Sequence, residues 1–239
     1  MPDSNEGTVL PDRALDRLGS IRLTDYSMRS LLGEIASLAR QSLPGRLEAS
    51  VTLLTGDDPV TAVYTDQLAL DLDEVQYSRG HGPCLHAATV SEPVGIEDMR
   101  SDPRWPDFGA AAVEHGCLSS LSLPFPLHEG VSGALNIYAQ QPSTFDDGSR
   151  EFARRFASYG AVVAGNMLVY ESALDRAKNL EAALTSRAVI DQAKGILMER
   201  CKLTADQAFR ALAQVSMETN IKVRDIAERF IETGELRAD

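Results

Sequence analysis

The sequence is poor in the residues from which metal sites and disulfide frameworks are built. It has three cysteines, Cys84, Cys117 and Cys201, odd in number and widely spaced. They offer neither a ligand cluster nor an obvious disulfide pattern. Of its four histidines, His81 and His86 flank one turn, while His115 and His128 lie far along the chain. Without clustered carboxylates or cysteines around them, no metal site is expected. No G-x-G-x-x-G or G-K-[ST] loop is present, which leaves nucleotide hydrolysis without support. No stretch approaches the roughly 18 consecutive apolar residues of a membrane span. The start, M-P-D-S-N-E-G-T, lacks the basic and apolar regions of a signal peptide. These absences predict a soluble, cytoplasmic protein with no membrane partner and no cofactor.

Positive charge is also scarce: the net charge is −12. Its distribution is uneven. Residues 1–185 hold 14 Lys and Arg against 26 Asp and Glu, a net of −12, whereas residues 186–239 hold nine of each, a net of zero. The acidic excess therefore lies wholly outside the last fifty or so residues. A neutral segment fits a reader of shaped loops better than a non-specific phosphate binder, because electrostatics supply most non-specific affinity. It fits the absence of nucleic-acid binding equally well.

With 44% apolar residues over 239 positions, there is material for one full domain and a smaller one. Residues 1–10 read as a disordered tail. Residues 11–40 carry a helical apolar face (Leu15, Leu18, Ile21, Met28, Leu31, Leu32, Ile35, Leu38), with a break allowed near Arg22–Thr24, and end at Pro44-Gly45. Ala49–Leu54 and Val60–Thr65 read as a hairpin about Gly56-Asp57-Asp58-Pro59. Leu68–Val75 is either a short helix or irregular. In Y-S-R-G-H-G-P-C-L-H-A-A-T, Pro83 is placed to start a helix over Cys84–Ala88. Pro93–Ile96 is extended, Asp98–Pro106 is a loop with the only tryptophan, Trp105, and Phe108–His115 is helical up to Gly116. Leu118–Phe125 and Gly133–Tyr138 read as strands joined at His128-Glu129-Gly130. Asp146–Gly165 is a helix expected to turn Phe152, Phe156, Tyr159, Val162 and Val163 inward. This order predicts an α+β domain with helices against an antiparallel sheet.

From Met167 to Ala188 a stripe alternates at spacings of three and four in most places: Met167, Tyr170, Leu174, Ala177, Leu184 and Ala188, with Leu180 alongside. Neither glycine nor proline interrupts Gly165–Gly195, so one continuous helix is expected here. Its seam either pairs two chains in parallel or packs on its own domain.

Three amphipathic segments close the chain. The first carries Val189, Ala193, Ile196 and Leu197. The second opens on the capping-box pair Thr204 and Gln207 and carries Ala208, Leu212 and Val215, with Phe209 beside them. The third follows Asn220, a good N-cap residue, carries Val223, Ile226, Ala227, Phe230 and Ile231, and ends before Gly234. Gly195 stands out, because glycine inside a helix costs about 1 kcal/mol relative to alanine. Either it permits close helix–helix packing, or it leaves room beside Lys194 for something outside the chain.

The run A-K-G-I-L-M-E-R, then T-A-D-Q-A-F-R-A-L, then N-I-K-V-R-D-I-A resembles the ANTAR domain, a three-helix output module of bacterial antiterminators. The resemblance implies RNA binding, with paired modules on tandem stem-loops that carry hexanucleotide loops. It places RNA contacts at Ala193, Lys194, Gly195 and Arg200, with Arg210 and Lys222 as secondary candidates. Where many members carry arginine after the leucine of the second helix, this chain has Ala213 after Leu212. Earlier in the chain, G-H-G-P-C-L-H-A, D-P-R-W-P, S-L-S-L-P-F and G-A-L-N-I-Y resemble a GAF domain from about residue 15 to 168, as in actinobacterial GAF–ANTAR regulators. That resemblance implies a sensor or dimerisation module and leaves a small-molecule ligand open. The N-K-x-x-F-x-x-x-D-E run of cyclic-nucleotide GAF domains is missing.

The organisation expected is therefore a GAF-like α+β sensor over 11–166, a coiled-coil linker helix over 167–188, and an all-α three-helix ANTAR domain over 186–239. The function expected is a homodimeric RNA-binding regulator of transcription antitermination. Rival readings are a helix-turn-helix DNA binder, a purely sensory or protein-binding module, and a cysteine redox enzyme using Cys84 and Cys117. Against the DNA reading, the third helix balances Lys222, Arg224 and Arg229 with Asp225, Glu228 and Glu232, whereas a DNA recognition helix carries several basic or amide residues on its exposed face.

Overall fold

The computed structural model describes residues 10–56, 58–127 and 130–236. The chain divides into two compact units, the first ending at Tyr170 and the second beginning at Glu171. The expected tail at residues 1–10 lies outside the described residues except for Leu10, and so do Asp57, His128 and Glu129 of the two expected turns.

The first unit opens with α1 (Pro11–Gly19), a 3-10 turn at Leu23–Asp25, and α2 (Met28–Gln41). Proline in the first turn starts α1, and Ser27 starts α2 through a capping box closed by Ser30. The strands β1 (Leu47–Thr55) and β2 (Asp58–Tyr64) follow, then α3 (Gln67–Arg79) and α4 (Pro83–Val90). The ambiguous run at Leu68–Val75 is thus helix: the Asp66 side chain accepts the Leu68 N–H at its start, and Gly80 closes it in a left-handed conformation. The chain continues through β3 (Val94–Ile96), α5 (Pro106–Glu114), β4 (Ser119–Pro124), β5 (Val131–Ala139) and the 55-residue α6 (Asp147–Cys201).

The five strands form an antiparallel sheet in the order β2-β1-β5-β4-β3, with a register shift between Val51 and Thr52. One face is covered by α2 and the first part of α6. There Leu31, Leu32, Ile35, Val51, Leu123, Leu135, Ile137 and Phe156 form one buried cluster. The other face is covered by α3, α4 and α5, in clusters that include Leu72, Phe108 and Tyr138, and Cys84, Val94 and Ala134.

Two expected orientations along α6 are corrected. Phe156 is buried, and Phe152 and Val163 are half-buried, but Tyr159 is 53% and Val162 61% exposed. The sheet side of this helix is lined instead by Ala153, Ala157, Ala161 and Ala164, with Phe125 and Ile35 seated closely against Gly160. Small side chains let the helix lie close to the sheet and leave larger neighbours outside. Farther along, Met167 is buried and Tyr170 packs on the same core, so these two members of the expected pairing stripe serve their own domain.

The second unit contains the C-terminal part of α6, α7 (Ala205–Thr219) and α8 (Val223–Thr233). Its core holds Ala193, Leu197, Ala208, Leu212, Ile226, Ala227 and Phe230. Thr204 and Gln207 form the expected capping box at α7. Asn220, however, is the left-handed C-cap of α7 and not the N-cap of α8, which begins after Lys222 with no side-chain cap. Asparagine tolerates positive φ, and the three-residue connection 220–222 spends its first residue on ending α7 and its last on starting α8. Before it, residues 172–185 of α6 are exposed on every side.

Candidate functional site

The sheet unit carries polar chemistry in its interior. The face under α3 and α4 presents Ser50 and Thr52 from β1, Ser120 and Ser122 from β4, and Asn136 and Tyr138 from β5, all fully buried or nearly so. Asp73 descends onto them from α3. Tyr138 donates its hydroxyl hydrogen to Asp73 Oδ1 at 2.6 Å, and Thr61 donates to Oδ2 at 2.9 Å. Asn136 Nδ2 lies 3.1–3.2 Å from Ser50 Oγ, Thr52 Oγ1, Asp73 Oδ1 and Cys84 Sγ, four acceptors for its two hydrogens. Asn136 Oδ1, Ser120 Oγ and Ser122 Oγ have no partner among the described residues. Burial raises the Asp73 carboxyl to about 6, opposed by the hydrogen bonds of Tyr138 and its neighbours.

The glycine-rich turn ahead of α4 serves this network. A side chain at Gly82 would collide with Gln76, whose Oε1 accepts the Cys84 N–H at 2.8 Å. Cys84 itself donates to Thr52 Oγ1 at 3.1 Å. Its place near a helix start does not lower its pKa: complete burial and the Asp73 charge raise it. Burial also pushes the Cys117 thiol up, to about 12. Both side chains rest as neutral thiols, opposite to what a nucleophilic thiolate needs. Among the described residues no group of three His, Cys, Asp or Glu could hold a metal ion. His86 meets Trp105 edge-on at 5.8 Å, and Arg104 stacks over the indole at 5.0 Å. A polar cleft of about 520 Å³, lined in part by Arg40, Arg46, Glu48 and Asp66, shares no residue with the buried network.

In the second unit the chemistry is outside. Ala193 is fully buried, so its methyl group belongs to the three-helix core. Lys194 is 23% exposed and bonds Asp191 at 2.8 Å, which holds that carboxyl below its ordinary range. Gly195 is exposed, and a Cβ built on it would meet nothing within 4 Å among the described residues. The reading of this glycine as a helix–helix contact within the chain is therefore corrected. Arg200 donates to the carbonyl of Gly234 at 3.3 Å, where a cation is also favoured by the α8 dipole. Arg210 Nε reaches the carbonyl of Asp206 at 3.3 Å, and Lys222 is exposed at the start of α8. Arg187, Lys194, Lys202 and Arg224 each pair with a carboxylate, whereas Arg200, Arg210 and Lys222 form no ion pair among the described residues. The pairs at i,i+3 and i,i+4 were readable from spacing; the Arg200–Gly234 contact, 34 residues apart, was not.

Comparison with known proteins gives these two sites a class. Residues 25–163 match the GAF domain model and residues 178–231 match the ANTAR domain model. More than half of the chain lies in the first match, and the chain belongs to the GAF domain family, with an ANTAR domain following in the arrangement of a GAF–ANTAR regulator. Among curated proteins none matches. Among solved structures, the chain is similar to a domain of a putative two-component sensor histidine kinase protein from Sinorhizobium meliloti 1021, at 15% identity, TM-score 0.51, and coverage of 62% of this chain and 96% of that one. It is also similar to fRMsr of Staphylococcus aureus, at 17% identity, TM-score 0.51, and coverage of 64% and 92%. A third similar structure is free methionine-R-sulfoxide reductase from Neisseria meningitidis, at 15% identity, TM-score 0.51, and coverage of 66% and 91%. At these identities the likeness defines the fold alone. No helix among the described residues is long and apolar enough to cross a membrane.

Proposed function

We propose that this protein is an RNA-binding regulator of transcription antitermination, acting in the cytoplasm on nascent transcripts. Two ANTAR units in a homodimer bind the two loops of a tandem hexaloop stem-loop RNA, and the GAF unit biases their pairing. The observation that carries this reading is Gly195. Helix interiors disfavour glycine, no neighbour among the described residues occupies the space beside it, and Lys194 stands next to it. A partner outside the chain is the remaining use for that gap, and loop bases, which splay away from a stem, are suited to it. Arg200, Arg210 and Lys222, without acidic partners among the described residues, are available to phosphates.

Dimerisation is supported by the bare stretch 172–185 of α6, where Leu174, Leu180 and Leu184 face water. A helix exposed on every side has no tertiary packing to hold it, and an apolar seam along it is covered by a second copy. The unpartnered hydroxyls under α3 and α4 support a small polar ligand for the GAF unit. The protonated, buried thiols give no support to cysteine redox catalysis.

The test is binding of the purified full-length protein, at physiological salt, to a tandem hexaloop RNA, a single-loop RNA, a scrambled RNA and duplex DNA. The proposal expects tight binding to the tandem form alone, with two chains per RNA. Equal competition by duplex DNA would overturn it in favour of a DNA-binding regulator.

A further inference from the structure

The ANTAR unit carries an apolar ridge that its own core does not use. On α7, Ala208 and Leu212 point into the core, while Phe209, Ala213 and Met217 follow one another at four-residue spacing along a neighbouring face. Phe209 is 45% and Met217 78% exposed. Ile221, in the turn beyond Asn220, is exposed as well. Charge frames the ridge. Arg210 adjoins Phe209 in sequence and Lys222 adjoins Ile221, and neither has an acidic partner among the described residues. The acidic residue on this side of the helix, Asp206, lies in the first turn, where the helix dipole accounts for it.

We propose that Phe209 is a stacking platform for an unpaired base of the RNA loop, with Met217 extending the apolar surface and Arg210 and Lys222 taking the flanking phosphates. This rests on the RNA-binding reading above and names a contact that reading leaves open. A flat ring half exposed beside unpaired cations has the chemistry of single-strand recognition: every base offers a π-face, and cations placed beside it meet the sugar–phosphate chain. A protein partner would use the apolar ridge but has no general need for the two cations.

The experiment uses full-length protein and a tandem stem-loop RNA carrying 2-aminopurine in each hexanucleotide loop. Phe209→Ala is expected to weaken binding about tenfold and to reduce the change in 2-aminopurine emission on binding, with the slope of affinity against salt unchanged. Phe209→Trp is expected to restore affinity, and its added indole emission to be quenched by RNA beyond any change at Trp105. Arg210→Ala and Lys222→Ala are each expected to reduce the salt slope by about one. Circular dichroism of each variant reports whether the helices are intact, and the Phe209→Trp quenching keeps the test open if Phe209→Ala unfolds. Wild-type affinity in a folded Phe209→Ala, or no quenching in Phe209→Trp, overturns the platform and leaves RNA binding standing. Failure of the wild-type protein to bind the RNA overturns both.

Discussion

The two units of this protein place their polar groups in opposite locations. Beneath α3 and α4, the sheet unit buries Asp73, Gln76, Asn136, Ser120 and Ser122 and leaves three of their oxygens without partners among the described residues. The three-helix unit has a core of apolar side chains alone, and its distinctive residues, Gly195, Phe209, Arg210 and Lys222, are at the surface. A buried polar face is costly unless something completes it, so it suits a site that takes up a small molecule or responds to protonation. An apolar core with cations and an aromatic ring outside suits a module that stays folded and meets a macromolecule.

The largest expected effect separates the two cores. Phe230→Ala removes a buried ring from a small core and is expected to cost about 3–5 kcal/mol. Helical signal should be lost at lower temperature while Trp105 emission, which reports the sheet unit, melts as before. Simultaneous loss of both signals would show that the two cores are not independent.

Next comes the pH response of the buried carboxyl. Asp73 titrates at about 6 in the fold, against about 4 in an unfolded chain. The fold favours the neutral acid, so this contribution is fully present below about pH 4 and is lost as pH rises through 6. It amounts to about 2–3 kcal/mol between pH 4 and 7. Denaturant unfolding followed at Trp105 should show this loss in wild type and a flatter profile in Asp73→Asn. The three-helix unit, which buries no titratable group among its described residues, should show no matching step.

Smaller effects test the surface of the three-helix unit. Thr204→Ala breaks the capping box and is expected to cost about 1 kcal/mol, read by thermal melting. Gly195→Ala has the opposite sign: with no described residue within 4 Å of the added methyl, helix propensity should raise stability by up to about 1 kcal/mol while RNA affinity falls. Gain of stability with unchanged affinity would show that the opening beside Lys194 is not used.

Much of this was legible in the chain because it is local. The Thr204/Gln207 box, Pro83 at the start of α4, Gly234 at the end of α8 and the three apolar stripes each act within four residues of one another. Asn220 was misplaced because an asparagine between two helices serves as well for ending one as for starting the next, and only the left-handed φ of 55° decides. The inward face of α6 was misjudged for a different reason. Hydrophobicity favoured Tyr159 and Val162, but close approach to the sheet selected the alanines beside them.

By itself, then, the sequence determined the punctuation of the helices and strands, the division of charge between the two parts of the chain, and the residue pattern by which it resembles its families. These depend on backbone propensities and neighbours a turn away. Only the tertiary structure decided that Asp73, Cys84 and Asn136 share one buried network, across separations of 52 and 63 residues. It alone tied Arg200 to the end of α8 and left Gly195 and Phe209 bare. Those outcomes depend on which surfaces the packed sheet and helices cover, and solvent exclusion acts on the assembled layers, not on the order of residues along the chain.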